Sequence, residues 1–257
     1  MKSPFRPAKA PDPAILDNHR PLIRQLERRG LLRGGLSLGA LTMLTGCDVS
    51  DDTSVGKALR AVSSFNDWVQ AEIFDPNRLA PVYPASMVQK PPRFNAYYDV
   101  EDVKPVDGAT WRLEVAGLVQ NKASWTVGQL AMLPQRDMII RHVCVEGWDY
   151  IGEWSGVPLR AFLEAVGADL RAKYVAFKTN DDYPSSIDMP TALHPQTLLA
   201  TTYAHETLPD PFGYPLRLRT STKLGFKNPK WITAIEVTNT YPGGYWESRG
   251  FNWQSSI

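Results

Sequence analysis

The chain has 257 residues, 43% of them hydrophobic and 21% charged, which is enough apolar content for one substantial core. Its formal net charge of +1 hides an asymmetry: up to residue 46 there are 8 Lys/Arg against 3 Asp/Glu, and the remainder carries 20 basic and 24 acidic residues. The basic character belongs to the leader, so binding of nucleic acid has little electrostatic support.

That leader reads Glu27-Arg28-Arg29-Gly30-Leu31-Leu32-Arg33, followed by an apolar stretch from Gly34 to Leu44. A long polar front, paired arginines and a short, weakly hydrophobic core resemble a twin-arginine export signal. The stretch is too short and too rich in glycine for a membrane-spanning helix; the plainer alternative is an amphipathic helix with an incidental Arg pair. Leu44-Thr45-Gly46-Cys47 resembles a lipobox, and cleavage there leaves 211 residues with a lipidated Cys47 at the new N-terminus. Asp48 resembles an inner-membrane retention signal. The expectation is therefore a signal peptide at 1–46 and a periplasmic protein anchored to the inner membrane through Cys47. Twin-arginine export carries folded proteins, which supports a cofactor inserted beforehand without identifying it.

From Asp48 to Lys57 the chain is a polar spacer, and Ala58 to Gln70 has helical periodicity with Leu59, Val62, Phe65 and Val69 on one side. Asp75 to Pro92 is Pro-rich and irregular, so residues 47–90 read as tether and strap and 91–257 as the main domain. Trp111 to Val115 alternates as a strand, Thr126 caps a short helix through Leu133, and Asp137 to Val143 is a strand leading into Cys144. Pro158 opens a helix through Val166, with Gly167 as its stop. Further strands are expected at Lys173 to Thr179, Leu198 to Tyr203, Pro215 to Arg219 and Trp231 to Asn239. Strands outnumber short helices, which makes an α+β domain with mixed sheets and long irregular loops, and no second domain or later transmembrane helix is expected.

Cys144 is the most informative residue. The chain has 2 cysteines, and a lipidated Cys47 cannot pair with Cys144, which leaves one thiol exposed to an oxidising compartment. The plainer reading is a buried structural cysteine. Arg141 and His142 precede it, and a nearby cation favours the thiolate. A lone thiolate argues against structural zinc, and the Cys-x-x-Cys-His run of haem attachment is absent. A metal needing a single protein thiolate is one whose other ligands arrive on a carrier.

The run Arg141-His142-Val143-Cys144-Val145-Glu146-Gly147-Trp148 is joined by Trp154-Ser155-Gly156-Val157-Pro158-Leu159 and by Tyr174 to Thr179. His194-Pro195-Gln196-Thr197-Leu198-Leu199, Tyr214 to Leu218 and Gly225 to Ile232 follow in order. Together they resemble the molybdopterin-binding domain of the sulfite oxidase family over residues 91–257, nearest the bacterial periplasmic branch that includes the protein-methionine-sulfoxide reductase catalytic subunit. The resemblance implies a molybdenum-molybdopterin cofactor with Cys144 as the metal ligand. It implies pterin contacts at Asn95, Tyr98, Asp99 and Thr179, and a grip on the phosphate end by Arg217, Lys227, Asn228, Pro229 and Lys230. It places Tyr183, Glu146 and Arg141 as catalytic residues, Tyr183 as a phenol able to donate to a transferred oxygen. His142, His194 and His205 read as packed or capping residues, and Trp148 and Trp154 as pocket walls.

Phe94 stands where sulfite oxidases carry a substrate-binding arginine, with Arg93 one residue off and expected to point elsewhere. Ala96 replaces a second asparagine of the methionine-sulfoxide branch, and Phe212 replaces the usual His or Asn before the Gly-Tyr-Pro-Leu-Arg run. The reading is an oxygen-atom-transferring oxidoreductase acting on a small substrate, sulfur compounds among the candidates, sulfoxide reductase-like rather than sulfite-oxidising. Lacking an internal redox domain, it needs a separate electron partner, a membrane cytochrome b or a periplasmic cytochrome c. The alternative is a non-catalytic periplasmic binding lipoprotein that kept the fold without the metal.

Overall fold

Strand backbones must pair their N–H and C=O groups before they can be buried, and in the computed structural model of this chain two sheets provide the partners. Residues 54–96 and 98–257 are described; the expected signal peptide, the expected lipobox and Cys47 lie outside them. No helix among the described residues is long and apolar enough to cross a membrane.

In chain order the strands are β1 (Glu114–Gly117), β2 (Arg136–Val143), β3 (Asp149–Pro158), β4 (Tyr174–Thr179) and β5 (Ser185–Asp188), then β6 (Thr197–Tyr203), β7 (Glu206–Thr207), β8 (Arg217–Thr220) and β9 (Ile232–Thr238). One sheet runs β1-β9-β4-β5, parallel only between β1 and β9. The other runs β2-β3-β6-β7, with β8 sharing the far edge of β6 beside β7. Helices α1 (Ser54–Ile73), α2 (Val127–Ala131), α3 (Leu159–Ala165) and α4 (Met189–Ala192) complete the expected α+β architecture.

The second sheet is covered on both faces. Val157, Leu199 and Leu218 join Phe162, Phe177 and Ile235 in the larger core. Met138, Ile140, Tyr150, Trp154 and Tyr203 build a smaller core with Leu198 and Leu208. β3 is therefore buried almost without interruption, and it lacks the alternation that reveals a half-exposed strand. This is why β3 is absent from the sequence expectations. β5, α4 and β7 are absent from them as well, being only four, four and two residues long.

Capping decides the helix ends. Thr126 and Gln129 form a reciprocal capping box on α2, which stops at Ala131, two residues before the expected Leu133. Pro158 is the N-cap of α3, and Gly167 (φ +63°) follows its end. The first strand begins three residues later than expected, because Trp111 turns inward to donate its indole N–H to the Ile232 carbonyl at 3.1 Å.

α1 extends beyond the expected 58–70, and its anchoring is polar rather than apolar. Phe65 and Trp68 are exposed. Asp67 instead accepts the backbone N–H groups of Trp253 at 3.0 Å and Gln254 at 2.7 Å, and Gln70 accepts that of Ser256 at 2.8 Å. The helix thus pins the C-terminal segment across the domain.

The two sheet strands β3 and β6 meet through an irregularity at Ser155/Gly156, where a Cβ on Gly156 would sit 2.1 Å from the Leu199 carbonyl oxygen. Gly156→Ala should lower unfolding stability by about 1–3 kcal/mol, the usual cost of forcing extra volume into a packed interior. Urea denaturation measures it, and an unchanged midpoint would show that the strands yield freely there.

Candidate active site

Segments outside the strands put side chains where a ligand can reach them, and five of them converge on one cavity of about 650 Å³. The β2–β3 turn supplies Cys144, Val145, Glu146 and Trp148. The β4–β5 turn supplies Asp181 and Tyr183. The segment 93–101, the stretch 225–230 and the C-terminal residues Trp246 and Phe251 close it.

The β2–β3 turn is short and stiff. Cys144 donates its N–H to the Trp148 carbonyl at 2.9 Å, and Gly147, at φ +89°, donates to the Cys144 carbonyl at 3.1 Å. Only glycine takes that backbone conformation without strain. The turn fixes Cys144 at 9% exposure on the cavity wall. Its Sγ lies 3.8 Å from Oε2 of Glu146, whose carboxylate also accepts the Trp148 indole N–H at 2.7 Å. Burial first, and then this carboxylate, push the Cys144 thiol above its ordinary pKa. Arg141 does not offset this. Its exposed guanidinium pairs with Asp149 across the hairpin, so the cation expected to favour a thiolate is directed elsewhere.

Asn95, Tyr98, Asp99, Cys144, Glu146, Tyr183, Asn228, Pro229 and Lys230 line the same cavity. Thr179, Arg217, Lys227 and Arg141 are outside its lining. Thr179 Oγ1 accepts the Tyr183 N–H at 2.8 Å and so shapes the turn. Lys227 is buried in an ion pair with Glu247. Tyr183 donates its phenol to the Phe226 carbonyl at 2.9 Å and stacks on Tyr245 at 5.2 Å, while burial raises its pKa. Trp148 is a wall of the cavity as expected. Trp154 is not: it is fully buried in the smaller core. Phe212 packs edge-on against Phe94 at 6.3 Å, and Arg93, expected to point away, lines the cavity.

Beneath the cavity the structure buries cations without acids. Arg217 and Arg219 stand on one face of β8, 4.7 and 4.9 Å from the Trp154 ring centroid. Arg219 donates Nη1 to His142 Nδ1 at 2.8 Å and to Asn228 Oδ1 at 3.0 Å. That hydrogen bond leaves the imidazole proton on Nε2, and burial with Arg219 and Arg217 keeps His142 neutral. Burial, reinforced by Arg219, lowers Arg217 to about 9; burial, reinforced by Arg217, lowers Lys230 to about 7. Among the described residues neither arginine nor Lys230 forms a salt bridge. The buried nitrogens Arg217 Nε, Arg219 Nε and Nη2, and His142 Nε2 find no acceptor among the described residues. A site so rich in buried donors and positive charge fits a ligand bearing a phosphate-like anion. The alternation Leu216-Arg217-Leu218-Arg219 was the sequence signal for Arg219, since alternate strand residues share a face.

The family model described as oxidoreductase molybdopterin binding domain matches residues 100–246. A relative in Azospira oryzae, provisionally named protein-methionine-sulfoxide reductase subunit YedZ1, is 58% identical over 226 residues, covering 88% of this chain and 86% of that protein. The protein-methionine-sulfoxide reductase catalytic subunits MsrP of Xanthomonas campestris pv. campestris and Campylobacter jejuni subsp. jejuni are 34% and 31% identical. Those matches cover 53% and 54% of this chain and 47% and 52% of the relatives, about half their length. The sulfane dehydrogenase SoxCD from Paracoccus pantotrophus shares the fold, with a TM-score of 0.50 at 20% identity, over 53% of this chain and 40% of its own.

Lys230 sets a pH test. Its folded pKa, about 7, lies below that of a free lysine, so between these values the unfolded chain binds more protons. The cofactor-free protein should therefore gain stability as pH rises from 7 towards 10, and carry the full cost of the buried ammonium below 7. Lys230→Met should shrink the difference in urea midpoint between pH 6.5 and pH 9; an undiminished difference would place the cost on other groups.

Proposed function

The chain belongs to the oxidoreductase molybdopterin binding domain family and is a molybdenum-molybdopterin oxidoreductase, and on that premise we propose that it reduces a sulfoxide to a thioether in the periplasm. The overall change is sulfoxide plus two protons and two electrons giving thioether and water. A separate membrane cytochrome b or periplasmic cytochrome c supplies the electrons, and the lipidated Cys47 keeps the enzyme beside the inner membrane. The paired arginines of the leader, the Leu44-Thr45-Gly46-Cys47 run and the relatives named for methionine-sulfoxide reduction support this reading.

The single observation that carries it is the position of Cys144. The free cysteine of the described residues stands on the wall of the cavity whose lining also holds Asn95, Tyr98, Asn228 and Lys230. Cys144 would ligate the molybdenum, Asn95, Tyr98 and Asp99 would hold the pterin, and Lys230 with Arg217 below it would take the phosphate end. When bound, the cofactor supplies two-electron oxygen-atom transfer. Phe226, Trp246 and Phe251 present an apolar wall to the substrate's carbon groups and exclude water. Glu146 Oε2, held by the Trp148 N–H beside Cys144, is placed to hand on a proton to the departing oxygen.

Protein exported in folded form should contain molybdenum and pterin in equal amounts, both lost in Cys144→Ser, and should oxidise reduced benzyl viologen when given methionine sulfoxide. Loaded protein that leaves every sulfoxide untouched would refute the reaction, and folded protein without metal would leave a binding lipoprotein. Cys47→Ala should move the protein from the membrane fraction to the soluble periplasm, as cell fractionation would read; retention in the membrane would refute the lipid anchor.

A further inference from the structure

The cations lining the cavity, among the described residues, are Arg93 and Lys230. Lys230 is buried at the phosphate-fitting end and donates to the Pro211 carbonyl at 3.1 Å. Arg93 is different. Its guanidinium carbon lies 4.3 Å from the centroid of the Trp148 ring, and among the described residues it forms no salt bridge and donates no hydrogen bond. Trp148 is the residue whose indole N–H holds Glu146 at 2.7 Å, and Glu146 reaches to 3.8 Å from Cys144 Sγ. Arg93 is thus restrained by a ring beside the reacting centre while its N–H donors stay available.

The same lining carries the carboxylates of Asp99, Glu101 and Glu146. A fully charged oxyanion entering the cavity meets their repulsion, whereas a neutral dipolar acceptor does not. A sulfoxide oxygen is such an acceptor: it bears much of the S–O bond's negative charge with no net charge on the molecule.

Resting on the sulfoxide-reductase reading, we propose that Arg93 is the specificity-determining residue that hydrogen-bonds the substrate's S–O oxygen, and that the surrounding carboxylates turn oxyanions such as sulfite away. The contact is made to bound substrate before reduction, so its loss falls on binding. The rest of the substrate is held by the apolar wall, which does not depend on Arg93.

The test compares loaded wild-type enzyme with Arg93→Met and Arg93→Lys, using dimethyl sulfoxide as substrate and dimethyl sulfone as an unreactive competitor. A lost hydrogen bond to a charged donor corresponds to a rise in KM of about 10- to 100-fold in Arg93→Met. The expected result is that rise with kcat little changed, a parallel weakening of sulfone inhibition, and partial recovery in Arg93→Lys. Sulfite should inhibit wild type weakly at low ionic strength. An Arg93→Met enzyme with unchanged KM and unchanged sulfone inhibition would overturn the proposal, as would tight sulfite binding. If the loaded wild type reduces no sulfoxide, the reaction itself is wrong. The Arg93 contact is then judged by the Mo(V) electron paramagnetic resonance signal: a change on adding dimethyl sulfone to wild type but not to Arg93→Met supports it, and no difference between them overturns it.

Discussion

Arg217 and Arg219, with Lys230 nearby, bring positive charge into the protein interior without a salt bridge to any described residue. Removing such charge from water is costly, and aromatic faces and carbonyl oxygens offset only part of the cost. Trp154 serves as a floor for both guanidinium groups, Asn228 and His142 take two N–H bonds from Arg219, and Phe94 and Trp231 flank the Lys230 ammonium at 4.4 and 4.3 Å. Several donors remain without acceptors among the described residues. On the proposed reading the cofactor's phosphate would complete this arrangement and link cofactor binding to the stability of the folded chain.

The two sheets determine where that charge can meet a thiol. β8 lies on the far edge of β6, separated from β2 by β3 and β6, yet the β2–β3 turn brings Cys144 to the cavity that Asn228 and Lys230 also line. His142, on β2, touches both sides: its ring stacks on Trp148 at 5.7 Å and its Nδ1 accepts from Arg219. Gly225 has to be glycine for the same reason, since a Cβ there would lie 2.6 Å from His142 Nε2. Side chains from three separate stretches are thereby held in one geometry, as a site built on rigid elements requires.

A third element acts on the cavity indirectly, from the opposite end of the chain. Asp67 on α1 binds the backbone at Trp253 and Gln254, and burial raises its own carboxyl pKa against those hydrogen bonds. The pinned segment is the continuation of the one that carries Trp246 and Phe251 into the cavity wall. α1 therefore supports this part of the cavity wall from outside.

The sequence by itself determined the family and its molybdopterin cofactor. Cysteine arithmetic singled out Cys144, and motif order pointed to the fold and to molybdopterin, because residue identity at fixed spacing survives without knowledge of packing. Most strand positions were legible too, wherever one face was apolar or a glycine or proline marked an end. β3 was hidden because both its faces are buried, and the fate of individual charges was hidden because pairing is a matter of distance. Arg141 and Arg93 are both polar residues near a motif. Only the fold decided that Asp149 draws Arg141 to the outside of a hairpin while Trp148 holds Arg93 in the cavity. Side-chain direction depends on the strand's register and on neighbours far along the chain, and tertiary structure alone supplies these.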